Sequence, residues 1–261
     1  MSNIRSAFTS GKAFIPFITC GYPDIATTEE CVVAMQSAGA SLIELGIPFS
    51  DPTAEGPVIQ QANIKALEAG TTTDKVFELA GRLRSKRGIT VPMVFMTYAN
   101  VVFSYGTERF CERAREAGID GFILPDVPYE EKEEFASVMR RYGLDLISLI
   151  APTSASRVSM IATAAEGFIY VVSSLGVTGV RGSITTDTGA MCAKIKSCTK
   201  VPCAIGFGIS TPEQARVMSE CSDGVIVGSA IIKLIAEHGA DSPAIVGEYV
   251  SSMVNAVRGG K

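Results

Sequence analysis

Eight short apolar runs, each followed by an amphipathic stretch, recur along this 261-residue chain. The runs are predicted as strands over residues 14–19, 42–45, 93–96, 121–124, 144–149, 168–172, 203–205 and 224–227. Helical spacing is seen between them, for example over 28–38, 74–84, 109–117, 130–142 and 212–219. Several of these helical stretches stop at a glycine just before the next strand, as at Ala38-Gly39, Ala117-Gly118 and Tyr142-Gly143. The strands are nearly continuous in hydrophobicity, which predicts a parallel sheet covered on both faces. Eight β/α units in a chain near the roughly 250 residues of a closed barrel predict an α/β fold, a single (β/α)8 TIM barrel. An open doubly wound sheet is the alternative, but no GxGxxG follows the first strand. No Ser/Gly/Pro-rich linker or charge block divides the chain, so one domain over 1–261 is expected.

Composition removes several function classes. A formal net charge of −4 argues against general binding to nucleic acid. Hydrophobic residues make up 47% and charged residues 19%, which predicts a large core and some apolar surface kept for a partner. No apolar run approaches the ~20 residues of a membrane span, and the N-terminus lacks the order of a signal peptide, so a cytoplasmic protein is expected. Seven scattered cysteines without a CxxC read mostly as packing residues in a reducing compartment. The single histidine, His238, reads as a surface residue; a Ser-His-Asp triad, a Cys-His pair or a His-rich metal site is not expected.

In such a barrel the chemistry sits at the C-terminal strand ends. Strand two carries Glu44 in an apolar run, followed by a proline-rich loop through Gly56 with Asp51 and Glu55. A carboxylate there is costly unless paired or used. It fits either a structural ion pair or a proton-transfer group of raised pKa. Asp51 reads as a turn residue, and Asp126 as a helix cap or a prop for a neighbouring loop. Tyr170 at the end of strand six is either a packed aromatic or a hydroxyl facing the ligand. The ends of strands seven and eight are Gly206-Phe207-Gly208-Ile209-Ser210 and Gly228-Ser229-Ala230, each opening a helix. Backbone N–H groups of that kind close around a phosphate, although glycine is also common in tight turns. Residues 175–190, with four glycines, four threonines and Arg181, read as a polar lid loop or a plain surface loop.

The stretch Glu44-Leu-Gly-Ile-Pro-Phe-Ser-Asp-Pro with Gly56-Pro57 resembles the signature of the tryptophan synthase alpha chain family. So do Phe17-Ile-Thr-Cys-Gly, Tyr98-Ala-Asn, Asp126-Val-Pro, Gly176-Val-Thr-Gly and Gly206-Phe-Gly-Ile-Ser, in order along nearly the whole chain. The resemblance implies retro-aldol cleavage of indole-3-glycerol phosphate to indole and glyceraldehyde 3-phosphate. Glu44 would act as base and acid, Glu55 would accept the indole N–H, and Tyr170 would help to position Glu44. Phe17, Met96 and Ile123 would clasp the indole, and Thr178 and Phe207 belong to the same substrate site. The phosphate would rest on Gly179, Gly208, Gly228 and Ser229.

The resemblance further implies no cofactor or metal in this chain and a pyridoxal-phosphate-dependent beta chain as partner in an alpha2-beta2 heterotetramer. Loops 48–57 and 98–103 would form part of that contact. Glu55 stands where the family most often has Asp, which moves the carboxylate by one methylene. That departure keeps open a weakly catalytic module that activates the beta chain. Another phosphate-sugar barrel, an isomerase or epimerase, is the third alternative.

Overall fold

The computed structural model describes residues 3–154, 156–173, 186–206 and 208–259. Eight parallel strands close on themselves: β1 (Ala13–Thr19), β2 (Ile43–Gly46), β3 (Met93–Met96), β4 (Gly121–Ile123), β5 (Asp145–Ile150), β6 (Ile169–Val172), β7 (Cys203–Gly206) and β8 (Gly224–Val227). Every neighbouring pair is parallel, and β8 returns to β1 with Phe14 opposite Val225. The expected barrel is therefore observed, with strand ends within two residues of those read from hydrophobicity.

Alternation along each strand divides two apolar environments. On β3, Met96 lines a cavity at the barrel mouth. Its neighbour Phe95 packs outward, edge-on to Phe77 and tilted against Phe122. Phe77 lies on α3 (Thr73–Ser85), and Phe110 of α5 (Thr107–Glu116) completes that aromatic layer at 5.1 Å. The wall is thus covered by helices outside, and the cavity lies at its mouth.

The helices begin where local chemistry allows. α1 (Ile25–Ser37) starts at Asp24, whose carboxylate accepts the Thr27 N–H at 2.7 Å. α2 (Pro57–Glu68) opens with proline after Gly56. α4 (Ala99–Tyr105) follows β3 directly, and α6 (Glu133–Arg141), α7 (Val158–Thr163) and α8 (Thr186–Cys198) cover the next strands. α9 (Pro212–Cys221) carries a capping box between Thr211 and Gln214. α10 (Ser229–His238) starts at the end of β8, and α11 (Ser242–Arg258) packs across α1 and α9. No described helix is long and apolar enough to cross a membrane.

Two expectations are corrected. The helix read over 130–142 is a 3-10 turn at Tyr129–Glu131 followed by α6. Lys132 lies at the break, where its buried ammonium donates to the Ala164 carbonyl at 2.8 Å. The loop read over 175–190 ends early, because α8 begins at Thr186 and buries Cys192 and Ile195. That apolar contact outweighs the weak helix propensity of its Thr and Gly residues. Thr178, Gly179, Arg181 and Phe207 lie outside the described residues.

Candidate active site

Glu44 sits in the middle of β2, with Phe17 of β1 on one side and Val94 of β3 on the other. It is 1% exposed, and among the described residues its Oε1 has no hydrogen-bond partner. The ion-pair reading of this acid is thereby set aside. Burial pushes its pKa up to about 8, because a charge in this apolar wall loses its hydration without gaining a counter-ion. A carboxyl of this kind carries a proton near neutral pH and can release and recover it.

Glu55 approaches from the β2–α2 loop. It is also buried, and its pKa is raised to about 7, chiefly by desolvation. Its Oε2 accepts from the Asn63 amide of α2 at 2.5 Å. The Tyr98 hydroxyl receives the Ala54 N–H at 3.1 Å, and its proximity opposes the upward shift of the Glu55 carboxyl. The loop is tied to its own helix by Gln60, whose amide donates to the Glu55 carbonyl at 2.8 Å. Asp126 is the prop that its sequence context allowed: both its oxygens accept the Ala99 N–H at the start of α4, at 3.0 and 3.1 Å. Asp51 is exposed and bonded to Ser50, as a turn residue would be.

Two adjoining cavities open at the strand ends. A smaller one of about 120 Å³ is walled by Phe17, Glu44, Glu55, Ile59, Gly208 and Gly228, and reaches Ser229 and Lys233. A larger one of about 400 Å³ runs over Ile123, Leu124, Leu149 and Val172. Ala54, Met96 and Tyr170 line both. Tyr170 is buried, and burial together with the nearby Glu44 carboxyl raises its pKa well above the usual value.

Glycine is needed here for space as well as for turns. A Cβ at Gly46 would lie 2.7 Å from the Phe17 ring, and one at Gly228 would lie 3.1 Å from it. Gly208 has φ +78°, a left-handed conformation that favours glycine. Gly228 and Ser229 form the N-terminus of α10, where backbone N–H groups lack intrahelical acceptors.

The structure thus brings together Phe17, Glu44, Glu55, Met96, Tyr170, Gly208, Gly228 and Ser229, with Ile123 in the adjoining cavity. Three residues escaped the sequence reading. Lys233 lies one turn into α10, where nothing in its pattern separates it from a solvated lysine. Asn63 is a buried polar residue in a helix, a signal visible only once burial is known. Tyr98 stood in a strand-end motif but without a role.

A closed (β/α)8 barrel with two buried carboxyl groups beside an apolar cavity at its strand ends defines an acid–base enzyme for a substrate with a large apolar part. Residues 5–256 match the family model for the tryptophan synthase alpha chain. The tryptophan synthase alpha chain of Lacticaseibacillus casei is 46% identical over 257 residues, covering 98% of this chain and 96% of its own. The crystal structure of the Legionella pneumophila tryptophan synthase alpha chain is 36% identical at a TM-score of 0.87, covering 98% of this chain and 97% of that one. A Mycobacterium tuberculosis tryptophan synthase structure superposes at a TM-score of 0.88 and 29% identity, covering 98% of each chain. The chain belongs to the tryptophan synthase alpha chain family. It is a lyase that cleaves indole-3-glycerol phosphate to indole and glyceraldehyde 3-phosphate. The module and the isomerase or epimerase alternatives are not favoured by these matches.

Proposed function

We propose that Glu44 is the proton-transfer group of this cleavage and Glu55 the contact for the indole nitrogen. The protonated Glu44 carboxyl donates to the ring carbon that bears the glycerol chain, leaving positive charge shared with the ring nitrogen. The resulting carboxylate then takes the proton of the adjacent hydroxyl. The carbon–carbon bond breaks, its electrons return to the ring and the hydroxyl carbon becomes the aldehyde. One proton is given and one is recovered, so Glu44 ends as it began. Ionised Glu55 accepts the ring N–H and stabilises the positive charge formed between the two steps.

Phe17, Met96 and Ile123 hold the ring, with Tyr170 beside Glu44. Gly208, Gly228 and Ser229 offer N–H groups to the phosphate, and Lys233 adds a cation on that side. Thr178, Gly179 and Phe207 complete the set on the strength of the family motif.

One observation carries this reading: Glu44 is buried at the cavity, with a carboxyl oxygen that has no partner among the described residues. Indole release by Glu44→Gln tests it. Turnover at least ~10²-fold slower with substrate still bound is expected, and a wild-type rate would remove Glu44 from the role.

None of these steps calls for a cofactor in this chain; pyridoxal phosphate belongs to the beta chain. A beta chain is the partner, in an alpha2-beta2 heterotetramer in the cytoplasm, with loops 48–57 and 98–103 on the contact side. Phe103 of α4 is 75% exposed there, an apolar ring suited to burial against a second chain. Co-purification with the beta chain, weakened by Phe103→Ser, tests the assembly.

A further inference from the structure

We propose that Asn63 and Tyr98 are positioning residues, holding the Glu55 carboxylate toward the cavity and keeping it ionised for the indole N–H. The inference rests on the reading of Glu55 as the indole contact.

A carboxyl buried beside Val58, Ile59 and Met96 favours its neutral form. Neutral Glu55 would be a poor acceptor and could not balance charge on the ring. Hydrogen bonds donated to the anion oppose that preference. The Asn63 amide nitrogen can only donate, and it lies 2.5 Å from Oε2. The Tyr98 oxygen already accepts the Ala54 N–H at 3.1 Å, which leaves its own proton free to face the neighbouring Glu55 carboxylate.

Both donors are themselves fixed. Asn63 is buried inside α2. Tyr98 is buried against Phe49 at 5.2 Å between ring centres, and the next residue is pinned by Asp126. Donors on rigid elements keep a reactive carboxylate in one orientation at little further entropic cost.

The other titratable groups around Glu55 come from three elements: Glu44 of β2, Tyr170 of β6 and Lys233 of α10 line the same cavity. Asp126 acts on Tyr98 from the loop after β4. Burial leaves Glu55 titrating near 7 even with its two donors in place. Loss of either donor is therefore felt at neutral pH.

The test is binding of indole-3-glycerol phosphate by the full chain between pH 5.5 and 9, in a Glu44→Gln background that slows turnover and removes the other titrating acid. Affinity should fall as the pH drops through the Glu55 midpoint. Tyr98→Phe and Asn63→Leu should each move that midpoint upward by about 1 pH unit. Affinity at pH 9 should return close to that of the parent, a recovery that a merely damaged fold would not show. The second ionisation of the substrate phosphate, near ~6, is common to all variants and is read from Glu55→Gln.

If Glu55→Gln leaves only the phosphate step in the profile but Tyr98→Phe and Asn63→Leu keep the parent midpoint, the positioning role is overturned and Glu55 keeps its own. If Glu55→Gln leaves the profile unchanged, Glu55 is not the indole contact and both readings fall. Weak binding in Tyr98→Phe and Asn63→Leu that shows no recovery between pH 5.5 and pH 9 also overturns the positioning role.

Discussion

The phenol of Tyr170 on β6 occupies the space beside Gly206 on β7, so that a Cβ added at Gly206 would lie 2.3 Å from the Tyr170 oxygen. The neighbouring pair in register is Tyr170 with Ala204, so the ring leans along its partner strand toward the mouth of the barrel. This glycine is there to let a side chain in, and its absence of a Cβ is what seats the phenol next to Glu44.

Gly206→Ala should therefore displace Tyr170. Forcing a methyl into a packed site costs about 1–3 kcal/mol, a fall of roughly 2–6 °C in thermal midpoint for a chain of this size. Cleavage should fall by ~10-fold or more, since small misplacements are costly at a reacting centre. Thermal melting and indole release together check it. Full activity would show that Tyr170 is not needed at that place.

The raised pKa of Glu44 makes stability depend on pH. The folded chain holds this proton up to about pH 8, whereas the unfolded chain releases it near ~4.3. Between those values the native state binds more protons, so unfolding free energy falls as pH rises. The contribution is complete below about pH 4 and lost through pH 8. Glu44→Gln never ionises. Its stability relative to wild type should grow by on the order of 4 kcal/mol between pH 5 and pH 9. Urea denaturation at the two pH values measures the change; a constant difference would mean that Glu44 is ionised in the folded chain throughout.

Glu55→Asp tests whether the longer side chain is a handicap. Shortening by one methylene withdraws the carboxylate by about 1.3–1.5 Å, away from the Asn63 amide. The loop cannot simply follow, because Gln60 holds the Glu55 carbonyl and Tyr98 holds the Ala54 N–H. A loss of roughly 10-fold in kcat/KM is expected. Faster cleavage by the aspartate variant would show that the site is built for the shorter acid.

Arg84 of α3 closes the opposite face of the barrel. Its guanidinium donates to the carbonyls of Gly118, Ile89 and Val91 and to Asp120 at 2.8 Å. Asp120 in turn accepts the Met93 N–H at 3.0 Å. Arg84→Met strands several carbonyls and a mostly buried carboxylate, so a loss of about 2–4 kcal/mol is expected in urea denaturation. Cleavage per folded molecule should stay near wild type, because the pair lies at the strand N-termini, away from the reacting end.

Much of this protein is local in its sequence. Apolar runs, glycine stops and prolines at helix starts are short-range signals, and they place eight strands, the strand-end loops and Glu44 within one barrel wall. Glu55 is likewise visible as an acid in a rigid loop. Hydrogen-bond partners are another matter. Asn63 lies eight residues beyond Glu55, inside a helix, and the Tyr98 hydroxyl meets the Ala54 N–H across 44 residues. Nothing in either segment alone marks them as a pair. The break at Lys132 and the early start of α8 also follow from burial against neighbours, which overrides local propensity. By itself the sequence determined the architecture and which acid enters the wall, because periodicity and turn chemistry are written residue by residue. Only the tertiary structure decided what surrounds each acid and how far its proton affinity moves, because desolvation and donor geometry exist only once distant loops have closed over the strand ends.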